Sequence, residues 1–381
     1  MNNFAAIISA LLAAQSGGVD RITTLTNTPP DPAEYLFLSV LPIRQSDDYR
    51  ATSNAMRIVS TMAGMVGMDS PYPTGSAIQY SDFSEQTVKL AIATGLNERQ
   101  IREIQGLIRL AGTGEANGQS PDDILTNSLL NLYRKGVVQA LDDTSEYLRA
   151  QALSTGALNW TFNGKVLAVD YGVPTANKRV LTGTDGFGGS TSKFWDTVRW
   201  GRKQVKSVRA FVLSDDSLEM VLANDVNKIT VVNDNESVGK NIRIVTVRRA
   251  VRNAEGITVG FDQDARSTVT LVSYRRQAQI IAPGAANGTT GVQLFPNGVM
   301  SVIGNNTSDD ILTNDGSAQA SNNLGYTQVS PTVEGGGRIG RWGRTYTPEG
   351  APWSARAEGV SNELPVIETP EKLALATFPM V

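Results

Sequence analysis

The 381-residue chain has no cysteine and no histidine. Without cysteine it can form no disulfide, no thiolate nucleophile and no thiolate metal site, so its fold must hold in any redox compartment. Without histidine it lacks the imidazole that most hydrolases and zinc enzymes use near neutral pH. Serine–histidine triads, cysteine–histidine pairs and the zinc helix motif are excluded outright, which lowers the expectation of an enzyme. Charge of one sign is also scarce. The formal net charge is −3 with no long like-charged run, which argues against overall charge holding the chain on nucleic acid. No apolar run approaches the length needed to span a bilayer. Nor does a basic residue precede the apolar N-terminus, the first being Arg21. A secretory signal is therefore not expected, and the chain reads as soluble and made in the cytoplasm.

What is present suits a globular protein: 40% of the residues are hydrophobic and 19% charged, enough apolar content to bury a core. Phe4, Ile7, Ile8, Leu11 and Leu12 recur at helical spacing and predict a short amphipathic helix. Residues 15–52 read as extended, stiffened at Thr28-Pro29-Pro30-Asp31-Pro32. The apolar patch Tyr35-Leu36-Phe37-Leu38 suggests that this arm lies on another subunit. Arg57-Ile58-Val59 and Thr87–Ile92 predict the two strands of an excursion with a turn-rich tip at Ser70–Gly75. Such a ribbon is marginal alone and needs something to lie on. Four methionines between Met56 and Met68 suit an adaptable contact surface.

Asn97 and Gln100 form a capping box ahead of Ile101, Ile104, Leu107 and Ile108. Ser120-Pro121-Asp122-Asp123 then starts a long helix expected to run to about Leu153. Leu125, Leu129, Leu132, Val137, Leu141 and Leu148 make its apolar stripe; Arg134, Lys135, Asp142, Asp143 and Glu146 are read as its solvated face. Asn163-Gly164 between two alternating runs, 159–162 and 165–170, predicts a hairpin. A helix over 193–205 follows the glycine-rich loop 183–189. Further strands are expected at 210–213, 242–247, 257–261, 268–274 and 299–303, with a helix near 217–222. Residues 304–350 read as loop, and a final strand covers 373–378.

Several motifs fail on context. Gly335–Gly340 matches a dinucleotide fingerprint but lacks the strand–helix unit around it. Asp262-Gln263-Asp264 and Asp309-Asp310 do not continue into a calcium loop. Arg243, Arg248, Arg249 and Arg252 have no interleaved aromatics and read as a solvated strand. No catalytic, cofactor or metal residues are assigned.

The order of elements, α+β throughout, resembles the Hong Kong 97-type capsid fold. Leu153–Gly156 with Trp160–Gly164 and Val169–Gly172 is similar to the join of spine helix and hairpin in the lambda-type (E-family) major capsid proteins of tailed bacteriophages. Leu294–Met300 resembles that family's Pro-centred strand entry, and Glu363–Ile367 with Pro370–Ala376 its closing segment. The resemblance implies an N-terminal arm (1–52), an E-loop (53–96) and a P domain (97–205) with spine helix 120–153. It also implies an A domain with inserted loops (206–365) and a C-terminal strand (366–381). It implies no enzyme but a self-assembling icosahedral shell around double-stranded DNA, built in the host cytoplasm and retained in the virion. Its partners would be itself, in hexamers and pentamers, with portal, scaffold and decoration proteins, DNA held without sequence-specific contact, and no membrane or cofactor. Candidate contacts between subunits are Phe4, Ile8, Leu11, Leu36, Phe37, Met65, Met68, Pro71, Tyr72 and Pro73. Some shells of the wider fold link lysine to asparagine; the excursion offers only Lys89, and the link is not expected here. Two other readings stand beside this one, an encapsulin-like compartment and a carbohydrate-active β-rich enzyme or binding protein. Few aromatics and no well-set acid pair weigh against the latter.

Overall fold

The computed structural model describes residues 25–58, 78–103, 106, 130–131, 133–162, 165–205, 207–239, 241–253, 258–262, 267–281, 289–305, 324–346 and 354–380. Along the chain come β1 (Ile43–Gln45), β2 (Arg50–Ile58), β3 (Ile78–Gln86) and β4 (Val88–Leu96). Helix α1 (Gln139–Thr155) follows, entered through a π-helical turn at Arg134–Val138. Then come β5 (Ala157–Phe162), β6 (Lys165–Asp170), β7 (Lys178–Val180), α2 (Phe194–Gln204), β8 (Val208–Ser214) and α3 (Asp215–Ala223). The remainder is strands: β9 (Ile229–Gly239), β10 (Ile242–Arg252), β11 (Thr258–Phe261), β12 (Thr268–Tyr274), β13 (Gln277–Ile281), β14 (Thr289–Gln293) and β15 (Val299–Gly304). The last four are β16 (Gly325–Ser330), β17 (Trp342–Tyr346), β18 (Ala355–Ile367) and β19 (Leu373–Thr377).

The larger sheet has eight strands. Its order across is β9, β10, β12, β8, β15, β19, β7, with β11 pairing the far end of β10. Successive side chains of a strand point to opposite faces, and here both faces are covered. Val212, Ile303, Leu373 and Leu375 enter the apolar cluster built around α1. Phe211, Leu213, Met300, Val302, Ala374 and Ala376 enter a second cluster with Phe194, Trp195 and Val198 of α2 and Leu218 and Val221 of α3. That double burial explains why β15 and most of β19 are apolar without alternation.

The second sheet is organised by β18. β4 pairs along Ala355–Glu363, β17 along Arg356–Val360 and β16 along Asn362–Ile367, and β1 lies parallel outside β16. The π-helical turn and the start of α1 lie close on this sheet because residue 359 is glycine; a Cβ there would collide with Val137 and crowd Leu141. The helix stops at Gly156, whose φ of 71° places it in the left-handed region that ends helices.

Much of the local reading holds. Asn97 and Gln100 bond reciprocally, each backbone N–H donating to the other's side-chain oxygen at 3.0 Å. β5 and β6 pair from Ala157↔Asp170 to Phe162↔Lys165. Val137, Leu141 and Leu148 are buried; Leu125, Leu129 and Leu132 lie outside the described residues. Three expectations are corrected. Thr87–Ile92 is not the return strand of the excursion, because β4 joins β18; the return strand is β3, paired with β2 from Arg50↔Gln86 to Ile58↔Ile78. Residues 304–350 are not all loop, since β16 and β17 fall there. The stretch after Tyr35 is no free arm: Tyr35, Phe37, Val40 and Leu41 are buried in the chain's own core.

Candidate functional site

The most concentrated chemistry lies on the face of α1 expected to be solvated. Asp142, Glu146 and Arg149 fall at i, i+4 and i+7, one face of a helix, and all three are buried, Glu146 and Arg149 completely. Residues from four other stretches meet them. Arg149 donates to Glu146 Oε2 at 3.1 Å and to Thr327 Oγ1 of β16 at 2.7 Å. The Phe37 N–H donates to Glu146 Oε1 at 2.8 Å. Arg341 donates to Glu363 Oε1 of β18 at 2.6 Å and also pairs with Asp142. Asn27 fixes the Arg341 backbone, donating to its carbonyl and accepting its N–H at 2.8 Å each. About 100° round the helix from Asp142, Asp143 accepts from Arg276 at 2.8 Å and from the Tyr35 hydroxyl at 3.2 Å. The Arg276 guanidinium stacks 4.2 Å from the Tyr35 ring centre.

Burial pushes the carboxyl groups of Asp142, Asp143 and Glu146 up, against the pull of Arg341, Arg276 and Arg149 respectively. For Glu363 burial acts the same way, but the Arg341 charge and hydrogen bond outweigh it and hold the group below the usual carboxylate range. Asp142, Glu146 and Glu363 share only two guanidinium groups, so this core carries one carboxylate too many. Asp142→Asn keeps the acceptor for Arg341 and removes that surplus. A carboxyl whose pKa is raised by folding ionises first in the unfolded chain, so the native state loses stability as pH rises above about 3.9. The stability of Asp142→Asn relative to the parent should therefore grow with pH, read as urea midpoints at pH values near 4 and 7. Parallel pH curves would refute the surplus.

Ser361 Oγ also donates to Glu363 Oε1, at 2.5 Å, within the cluster. The groove beside Arg341, about 330 Å³, is lined by Thr26 to Pro30, Leu38, Ile43, Gln45 and Val329 and contains no carboxylate or amine. Among the described residues no group of three or more acids could hold a metal ion, and no helix is long and apolar enough to cross a membrane. Sequence reasoning missed Arg149, Arg276, Arg341 and Glu363. The available signal was on α1 itself, where Ala150, Ala152 and Leu153 add apolar positions outside the leucine stripe and leave little of the helix for water.

The second candidate is the β2–β3 ribbon. Nine residue pairs tie its strands, a length of about 30 Å, and among the described residues neither strand joins another sheet. Its foot is fixed to β16: Gln328 Nε2 donates to the Asp48 and Arg50 carbonyls at 2.8 and 3.1 Å, and Ser330 Oγ to Asp48 at 2.6 Å. Of the expected subunit contacts, Met65, Met68, Pro71, Tyr72 and Pro73 at the tip, and Phe4, Ile8 and Leu11, lie outside the described residues. Phe37 is a correction. It is fully buried, its ring 5.3 Å from that of Tyr274 and 5.7 Å from that of Phe295. Leu36 is half-buried against the same cluster. The patch is apolar because it belongs to the chain's own core.

No family model matches the chain, and no curated protein matches it. Solved structures do. A prophage protein of E. coli CFT073, assigned as a capsid protein, is similar at TM-score 0.55 and 11% identity, over 98% of this chain and 99% of that one. A phage-related protein of Bordetella bronchiseptica RB50 is similar at TM-score 0.50 and 10% identity, over 96% and 99%. The chain has the α+β fold of Hong Kong 97-type capsid proteins, matched end to end.

Proposed function

We propose that the chain is the major capsid protein of a tailed phage, assembling with itself into hexamers and pentamers of an icosahedral shell around double-stranded DNA. The observation that carries this reading is the β2–β3 ribbon, about 30 Å of paired backbone rooted on β16 and, among the described residues, joined to no other sheet. A two-stranded ribbon is marginal in water by itself, and a neighbouring copy supplies the surface it needs. The end-to-end match to a fold used by a prophage capsid protein supports the same reading. So does the buried charge cluster, which ties five stretches of chain together. The slightly acidic chain suits a container that must not grip the genome entering it. On this reading the protein resides in the virion, is assembled in the host cytoplasm, and meets portal, scaffold and decoration proteins there.

Electron microscopy of the purified protein tests the proposal. Closed icosahedral particles are the expected result. A protein that stays monomeric at every concentration and salt tried, with scaffold protein supplied, would overturn it.

A further inference from the structure

Asparagine is chemically labile, most of all before glycine, where no side chain hinders the next amide nitrogen. The chain has four Asn-Gly pairs, and the pair at 297–298 is the one that lies among the described residues. It forms the turn that enters β15, with Asn297 exposed and Gly298 buried. Glycine is required there. Its φ is 72°, in the left-handed region, and a Cβ would stand 2.5 Å from the Phe378 carbonyl oxygen.

The turn is clamped from two sides. The Gly298 N–H donates to Ser217 Oγ at 3.0 Å, and the Gly298 carbonyl accepts from the Phe378 N–H at 2.8 Å. Ser217 is wholly buried; its hydroxyl also accepts from Ser214 Oγ at 2.8 Å and donates to Met380 Sδ at 3.4 Å. Asn297 Nδ2 donates to Asp216 Oδ2 at 2.8 Å. The two groups that would react with each other, the Asn297 amide and the Gly298 nitrogen, are thus each held by a residue in the first turn of α3.

We infer that Asn297 is a latent deamidation site, kept closed by the Ser217 hydroxyl and the docked Phe378–Met380 end of the chain. The reaction needs the Gly298 nitrogen to give up its proton to solvent and bond to Asn297 Cγ. The Cγ–Nδ2 bond then breaks, and the leaving nitrogen takes up a proton and departs as ammonia. Water opens the resulting cyclic imide to aspartate or isoaspartate. One water is consumed and one ammonia released, with no oxidation or reduction. In the folded chain the Gly298 proton is committed to Ser217, so the reaction waits on local opening of the turn. A carboxylate at 297 would then face Asp216 where an amide donor now stands, so opening leaves a permanent charge behind. The inference is independent of the capsid reading.

Peptide mass mapping after incubation in mildly alkaline buffer tests it. Asn297 in the folded parent should deamidate at least about tenfold more slowly than in the same chain unfolded in urea. Ser217→Ala leaves a buried N–H without its acceptor and should speed the reaction of the folded chain about tenfold, with a urea midpoint showing that the variant is folded. The parent alone gives a second measure. As urea is raised below the unfolding midpoint, Asn297 deamidation and deuterium exchange at the Gly298 amide should rise in constant proportion. Deamidation of the folded parent at the unfolded rate overturns the inference. So does a folded Ser217→Ala that reacts no faster than the parent, and so does deamidation that fails to follow exchange at Gly298.

Discussion

Replacing Arg341 with methionine is expected to cost the unassembled subunit about 3–5 kcal/mol, read as a lowered urea midpoint with unchanged slope. Methionine has nearly the right length and cannot donate. Asp142 and Glu363, which now share the guanidinium, would face each other as buried carboxylates with no cation between them. The loss should be smaller at acid pH. Both groups would then have folded-state pKa values above their unfolded ones, so protonation favours the folded variant and ionisation unfolds it as pH rises. A cost below about 1 kcal/mol at neutral pH would mean that water reaches the cluster and screens it, as at a surface pair. The Arg341→Met, Asp142→Asn double variant should recover part of the loss, because only one buried carboxylate then remains.

The second large effect is on assembly and not on stability. Ser53 and Phe83 are directly paired in the ribbon, so residues 54–82 can be replaced by an Asn-Gly turn that closes the shortened hairpin. The foot keeps its bonds to Gln328 and Ser330. If the ribbon lies on a neighbouring copy, the subunit should unfold within about 1 kcal/mol of the parent. Closed shells should disappear. If shells form at parental yield, the ribbon bridges nothing; if the subunit collapses, the ribbon belongs to its own core. Sedimentation and a denaturation curve on the same preparation separate these results.

Both experiments aim at features that differ in how legible they were. The ribbon was visible in outline from its turn-rich tip and flanking β-formers, although its second strand was misplaced. Val88 to Ile92 alternate as well as any ribbon strand would, and nothing local says that their partner is Ala355–Glu363 of β18. The arginine cluster was not visible. Asp142, Asp143 and Glu146 look like any solvated helix face until Arg341, 199 residues on from Asp142, and Arg276, 133 residues on from Asp143, are placed beside them.

By itself the sequence determined what depends on neighbours within a few residues. It excluded thiol and imidazole chemistry, capped the helix at Asn97, foretold the pairing of β5 with β6 and set the apolar stripe of α1. It also placed the strands whose faces repeat every second residue. Only the tertiary structure decided that Phe37 fills the chain's own core, that charged side chains of α1 lie inside it, and that β4 pairs with β18. Capping bonds and face periodicity are short-range and leave a signature in adjacent letters. Burial of a charge and pairing of a strand depend on which distant segments meet, and that is settled when the chain closes on itself.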